Sequence, residues 1–153
     1  LASAAAAYLR LRRAAGGRVT PGRVRARSVR ELREAGLTRQ KAAYVRDLAI
    51  RVESGALDLA ALAGASDRAA RRALLELRGV GPWTADIYLL MALRRPDVWP
   101  DGDLALAQAA RQVKGLRETP GRDRLRRLAG RWRPWRAVAA RVLWHHYLAE
   151  RRR

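Results

Sequence analysis

Two aspartates in the run Val-Trp-Pro-Asp-Gly-Asp-Leu, residues 98–104, are the carboxylates best placed for chemistry. Asp103 stands where an apolar helical segment ending near Val113 should begin, and most aspartates in such a position are simply N-caps. A cap can also be a catalyst, because the helix dipole and neighbouring arginines would keep its carboxylate ionised. Asp101 is the nearby competitor for that role.

Two glycines within residues 77–86 predict a tight hairpin between helices. The run reads Leu-Arg-Gly-Val-Gly-Pro-Trp-Thr-Ala-Asp, with Gly79 and Gly81 one residue apart. Glycines allow a sharp turn and close approach to another surface, and Pro82 suits the first position of the second helix. The exposed amides at that helix start can bind a phosphate. Taken alone, Gly-x-Gly between helices is more often only a short loop.

The charge of the chain favours a polyanionic partner. Lys and Arg number 33 against 14 acidic residues, a formal net charge of +19. A GC-rich genome also enriches arginine, but it does not remove Asp and Glu, so nucleic acid is the first expectation. The chain has no Cys, which excludes disulfides, thiolate zinc sites and cysteine-ligated clusters. No apolar run reaches the roughly 20 residues that span a bilayer, so we expect no membrane and a cytoplasmic, nucleoid-associated location.

The elements that must position these residues are predicted to be helices throughout. Helix start and stop signals recur every dozen or so residues, and no segment alternates as a half-buried strand would. A chain of 153 residues is expected to form one all-α domain over 1–153. It starts without Met and inside a helical pattern, so we expect a truncated N-terminus. The expected helices cover about 2–14, a segment from Thr20-Pro21, 28–36, 38–55, a segment from Ser66, and 134–150, with only an apolar turn over 57–62.

The last helix has two apolar sides. Four residues share one stripe, which we expect to face the core: Trp135, Val138, Ala139 and Val142. Trp144 lies on the opposite side, where Ala137, Ala140 and Leu148 also fall. Either the helix is buried all round or one side lines a pocket. His145 and His146 could be acid catalysts, but beside a basic tail they are more often surface residues.

The run Leu-x-Gly-Val-Gly-x-Trp-Thr-Ala resembles the helix-hairpin-helix of the HhH-GPD DNA glycosylase superfamily, specifically its 3-methyladenine DNA glycosylase II branch. Residues 32–48, with the core Ala-Gly-Leu-Thr-Arg-Gln-Lys-Ala, and the run from Arg131 to Trp144 are also similar to this family. The resemblance therefore covers nearly the whole chain. It implies a compact multi-helix DNA glycosylase domain.

The resemblance also assigns roles to individual positions. Asp103 matches the catalytic aspartate, which stabilises positive charge on the deoxyribose and helps to orient water. Trp83 and Trp144 would bind the flipped base. Residues that would contact DNA are Gly79, Val80, Gly81 and Thr84 in the hairpin, and Leu1 as a wedge. A monovalent cation could be held by the carbonyls of Leu75, Leu77 and Val80.

The reaction implied is base removal without strand cleavage. Relatives that also cut the strand carry a nucleophilic Lys where this chain has Trp83. We therefore expect a monofunctional enzyme that hydrolyses the N-glycosidic bond of an alkylated purine such as 3-methyladenine and needs no cofactor. Its partner would be double-stranded DNA with a damaged base, bound by a monomer. The alternative is a non-catalytic helix-hairpin-helix module, which needs only the hairpin and the charge.

Overall fold

The computed structural model describes residues 2–151, with side chains from residue 5 onward. Over that range the chain forms ten α-helices and no strand, which confirms the all-α prediction. The chain divides into two compact units, one of residues 1–65 with 76–79 and one of residues 66–75 with 80–153. The expectation of a single domain stays a prediction. No helix in the described part is long and apolar enough to cross a membrane.

The first unit contains five helices, most of which begin at a side-chain cap. They are α1 Ala2–Ala14, α2 Pro21–Arg25, α3 Val29–Glu34, α4 Arg39–Glu53 and α5 Leu59–Gly64. Thr20, Ser28 and Thr38 accept hydrogen bonds from the first turns of α2, α3 and α4, as the sequence predicts. Leu11, Leu32 and Ala42 are buried together, so α1, α3 and α4 share one small core.

One helix of this unit was missed by the sequence analysis. The segment taken as an apolar turn contains α5, and the Asp58 carboxylate accepts hydrogen bonds from the amides of Ala60 and Ala61. Leu57 and Leu62 are buried. The helix is six residues long, too short for a helical pattern of apolar positions to be recognised.

The second unit contains the other five helices. They are α6 Asp67–Leu75, α7 Pro82–Met91, α8 Leu104–Val113, α9 Arg122–Gly130 and α10 Arg136–Glu150. Helix α6 packs against α7, and α8 packs against both α9 and α10. Alanines such as Ala109 and Ala140 are fully buried, and their small side chains let helix axes approach closely.

The predicted core stripe of α10 is wrong. Trp135, Val138 and Val142 are exposed by 60%, 49% and 63%. The opposite side of the helix is the buried one, with Ala137 at 4% and Ala140 at 0%. Helix α8 packs against α10, and the alanines of the buried side let the two helix axes approach closely.

Candidate active site

Asp103 is the N-cap of α8, and hydrogen bonds to both carboxylate oxygens hold it in place. Its Oδ1 accepts from the Leu106 backbone amide at 2.9 Å, and its Oδ2 accepts from the Trp83 indole Nε1 at 2.9 Å. The residue is only 9% exposed. Each carboxylate oxygen thus has a donor, so the sequence-predicted cap is also a hydrogen-bonded, largely desolvated carboxylate.

A type II turn delivers Asp103 to this position. The Asp103 amide donates to the Pro100 carbonyl at 3.4 Å, and Gly102, the third residue of the turn, has φ +83°. That positive φ is why glycine occupies the position. Pro100, the first residue of the turn, and Trp99, which precedes it, are buried. The orientation of Asp103 therefore depends on how residues 99–102 are held.

Two arginines form ion pairs with Asp101, the second residue of the turn. Its Oδ2 accepts from Arg122 Nε at 2.8 Å and from Arg126 Nη2 at 2.6 Å, both on α9. Burial by itself raises the pKa of Asp101, but the hydrogen bonds from Arg126 and Arg122 outweigh it and hold the pKa below its usual value. Asp101 and Asp103 thus have different partners: Asp101 is bound by cations, whereas Asp103 is bound by neutral N–H donors.

A second ion pair holds the start of the same loop. Arg136, the first residue of α10, donates from Nε to Asp97 Oδ1 at 2.7 Å and from Nη2 to Oδ2 at 2.9 Å. The same Nη2 also reaches the Asp97 carbonyl at 2.7 Å. The pKa of Asp97 is lowered chiefly by the side-chain hydrogen bond from Arg136. The loop between α7 and α8 is therefore tied to α10 at one end and to α9 at the other.

The two predicted base-binding tryptophans occupy different surroundings. Trp83, in the first turn of α7, is 47% exposed while its N–H is bound to Asp103. An indole face is thus accessible beside a fixed carboxylate. Trp144 is half-buried and continues the buried Ala137–Ala140 face of α10. Its predicted contact with a flipped base stays a prediction.

The first half of the hairpin belongs to the first unit and requires glycine. Gly79 has φ +83°, and a Cβ at this position would overlap the ring of Tyr44 on α4. The Tyr44 hydroxyl is in turn bound by the Gln40 amide at 2.7 Å. Leu77 is buried. The predicted tight turn is confirmed here. Glycine is needed because φ is positive and because the backbone lies close to an aromatic ring.

The second half of the hairpin begins α7 in the second unit and is open. Gly81 is the N-cap with φ −88°, a Cβ there would meet no atom within 4 Å, and no side chain caps the helix. Pro82 is the first helical residue, as predicted. Val80 is half-buried and Thr84 is exposed. The first-turn amides of an uncapped helix lack intrahelical acceptors and are free to bind an anion.

An ion pair between α6 and α7, of which only the aspartate is buried, was missed by the sequence analysis. Asp86 is 4% exposed and accepts from Arg71 Nε at 2.6 Å and Nη2 at 3.5 Å. The pKa of Arg71 is raised mainly by this hydrogen bond. The pair links the two helices where they pack together. Asp86 is the one charged residue of α7, and that was the signal that could have found the pair.

The remaining predicted positions are less constrained. Leu1 lies outside the described residues. The roles of the Leu75, Leu77 and Val80 carbonyls in cation binding stay predictions. His145 is exposed and His146 half-buried. Among residues 2–151, no group of three or more His, Asp or Glu side chains is arranged to hold a metal ion.

A family model described as HhH-GPD superfamily base excision DNA repair protein matches residues 1–134. A DNA-3-methyladenine glycosylase of Bacillus subtilis is 28% identical over 114 residues, which cover 74% of this chain and 38% of the relative. The chain thus spans about two fifths of the length of the first curated relatives it matches, 40% and 38%.

Two solved structures share the fold. The crystal structure of a DNA-3-methyladenine glycosidase from Bacillus halodurans has a TM-score of 0.83 and 33% identity, and the match covers 98% of this chain and 70% of that one. The 3-methyladenine DNA glycosylase of Schizosaccharomyces pombe, in complex with abasic DNA, has a TM-score of 0.75 and 25% identity. That match covers 82% of this chain and 61% of the other.

Proposed function

Because the chain belongs to the HhH-GPD superfamily of base excision DNA repair proteins, we propose that it is the catalytic domain of a DNA glycosylase. Its substrate is an alkylated purine such as 3-methyladenine in double-stranded DNA, and its product is an abasic site. The observation that carries this proposal is the Asp103 carboxylate, buried and fixed by Trp83 Nε1 at 2.9 Å. The cap of α8 uses only one oxygen of Asp103, and the second oxygen is bound by an indole that is itself partly exposed.

The hairpin binds the DNA backbone. An uncapped α7 presents the amides of Trp83 and Thr84 to a phosphate, and the open space around Gly81 lets that phosphate come close. The net charge of +19 strengthens binding at low salt. Trp83 lies in the same helical turn as these amides, and its indole N–H donates a hydrogen bond to Asp103. A phosphate bound at these amides therefore places the sugar-phosphate chain next to the carboxylate.

Asp103 acts on the sugar. When the bond between C1′ and the base nitrogen breaks, its electron pair leaves with the base, and positive charge develops on the deoxyribose. A carboxylate held in a largely dry site stabilises that charge more than a solvated one would. Water then adds to C1′, loses a proton, and leaves the hemiacetal of an abasic site.

Alkylated purines suit a site that provides only weak general-acid catalysis. N-alkylation gives the purine a positive charge, so the base departs neutral without being protonated first. Indole faces attract cations, and Trp83 offers an accessible one. Trp144 completes the base pocket in this proposal. No cofactor is needed, although the Leu75, Leu77 and Val80 carbonyls would hold a monovalent cation at the hairpin.

Trp83 makes the enzyme monofunctional. An indole has no nucleophilic amine, so no Schiff base can form with C1′ and the phosphodiester chain stays intact. The enzyme acts as a monomer on damaged double-stranded DNA. Its proposed location is the cytoplasm, in association with the nucleoid.

The test is release of free base from duplex DNA carrying 3-methyladenine or 7-methylguanine. The proposal predicts release of the base, and strand breaks only after alkali has cleaved the abasic sites. Tight DNA binding without any release would overturn it in favour of a binding module. Strand breaks without alkali would overturn the monofunctional assignment alone.

A further inference from the structure

We propose that Asp101 is a positioning residue for catalysis: its ion pairs with Arg122 and Arg126 hold the turn that sets the orientation of Asp103. This inference rests on the proposed function, since it concerns the same carboxylate. It also decides between the two aspartates of the run 98–104, giving the catalytic role to one and the anchoring role to the other.

Because of the geometry of the turn, a movement of Asp101 displaces Asp103. Asp103 follows it by two residues, and Gly102 between them has a positive φ that most residues avoid. The hydrogen bond from the Asp103 amide to Pro100 is long, 3.4 Å, and so restrains the turn weakly. A shift of the Asp101 corner therefore passes directly to the Asp103 backbone.

The anchor comes from α9, outside the turn. Arg122 and Arg126 are one helical turn apart, and both donate to Oδ2 of Asp101, at 2.8 and 2.6 Å. The Asp101 side chain is 17% exposed, so the pair is partly shielded from solvent on the carboxylate side. Trp99 adds a second contact, because its ring packs 5.6 Å from that of Trp132. The ring contact restrains the turn from the other end but leaves the Asp101 corner to the arginines.

Asp101 is also poorly suited to be the catalyst. Two guanidinium groups already share one of its oxygens, and the other oxygen, Oδ1, is buried without a hydrogen-bond partner. A carboxylate neutralised in this way stabilises a developing cation less than the Asp103 carboxylate, whose partners are uncharged. The arrangement suits a fixed anchor.

The test uses two variants that break the same contact from opposite sides. Asp101→Asn keeps the size of the side chain and its suitability for a turn, and Arg122→Gln with Arg126→Gln removes the donors. The matched control is Arg124→Gln with Arg127→Gln, which removes two charges from the opposite face of the same helix, since residues advance about 100° each. Base release is measured at saturating enzyme, and affinity with a duplex containing a stable abasic analogue.

A second readout is independent of activity. The Trp83 indole N–H is bonded to Asp103, so its nuclear magnetic resonance signal, assigned with Trp83→Phe, reports the orientation of the carboxylate. Both test variants should shift this signal and slow single-turnover release about tenfold, because displacements near 1 Å cost up to roughly 100-fold. The DNA affinity of the arginine variant should stay within about twofold of that of the control, which loses the same two charges, and combining all three substitutions should add no further loss of rate.

Two results would overturn the proposal. A parent-like Trp83 signal in both test variants would show that the anchor does not position Asp103, even if the parent chain released no base. Loss of all release in Asp101→Asn with a parent rate in the arginine variant would make Asp101 itself catalytic. If Asp101→Asn does not fold, the arginine variant decides, because its two side chains are 61% and 57% exposed.

Discussion

Replacing Gly79 or Gly81 by alanine should affect two different properties of the hairpin. The change at Gly79 should lower its stability, and the change at Gly81 should lower its affinity for DNA. At Gly79 the left-handed φ costs an alanine about 1–2 kcal/mol, and moving the Tyr44 ring out of the way costs about 1–3 kcal/mol more. We therefore expect Gly79→Ala to lower the free energy of unfolding by about 2–5 kcal/mol. Gly81 has an ordinary φ of −88° and open space around it, so Gly81→Ala should cost less than about 1 kcal/mol.

The order reverses for DNA binding. The added methyl at Gly81 stands where the phosphate must approach the first turn of α7, and a hydrogen bond to a charged group contributes about 1.5–3 kcal/mol. Affinity for a duplex should fall roughly 10- to 100-fold. Urea unfolding measures the stability, and fluorescence anisotropy of labelled DNA measures the affinity. Gly64→Ala is the control, because it also adds a methyl in open space. Parent-like affinity in Gly81→Ala would show that the first turn of α7 does not bind the phosphate, and parent-like stability in Gly79→Ala would show that the turn does not require glycine there.

Three further predictions test the site and the packing. Trp83→Phe keeps an aromatic face but removes the donor to Asp103, and we expect single-turnover base release to slow about tenfold with stability reduced by about 1 kcal/mol. The folded-state pKa of Asp97 is lowered, so its stabilisation is fully present above the unfolded pKa of about 3.9 and is lost as the pH falls through the lower folded-state pKa. As the pH falls below about 4, the melting temperature of Asp97→Asn should therefore change less than that of the parent. Ala140 is buried, so Ala140→Leu should lower the free energy of unfolding by about 1–3 kcal/mol. Val142 is exposed, so Val142→Ser should change it by less than about 0.5 kcal/mol. Equal losses in the two variants would contradict the packing of α10.

The boundaries of most helices could be predicted because caps and glycines are local signals. Thr20, Ser28 and Thr38 act within three residues of their own position, so the chain does not need to fold to reveal them. The hairpin was predictable for the same reason. Asp58 is a comparable N-cap signal for α5. A cap residue alone does not predict a helix, and α5 is too short to show a helical pattern of apolar residues as well.

The burial of α10 could not be predicted from its sequence. Both sides of the helix are apolar, and a helical wheel ranks Trp135 and Val142 above alanines by hydrophobicity. The decision is made by the partner helix, which packs against the side that lets it approach closely. Ala137 and Ala140 meet that condition. Hydrophobicity without the partner gives the wrong face.

The ion pairs of the site were also beyond the sequence. Asp97 and Arg136 are 39 residues apart, and Asp101 is 25 residues from Arg126. With 33 basic residues in the chain, every aspartate has many candidate partners. Asp103 could be singled out only through a motif, and its bond to Trp83 required both helices in place.

Single-turnover base release from alkylated duplex DNA by Asp103→Asn tests whether Asp103 is the catalytic carboxylate. Asparagine is also a good N-cap, and losing one of two acceptor oxygens should cost only about 1 kcal/mol of stability. We expect a folded variant that binds DNA like the parent and releases base at least roughly 100-fold more slowly. Release at the parent rate by the folded variant would contradict this expectation and reduce Asp103 to a helix cap.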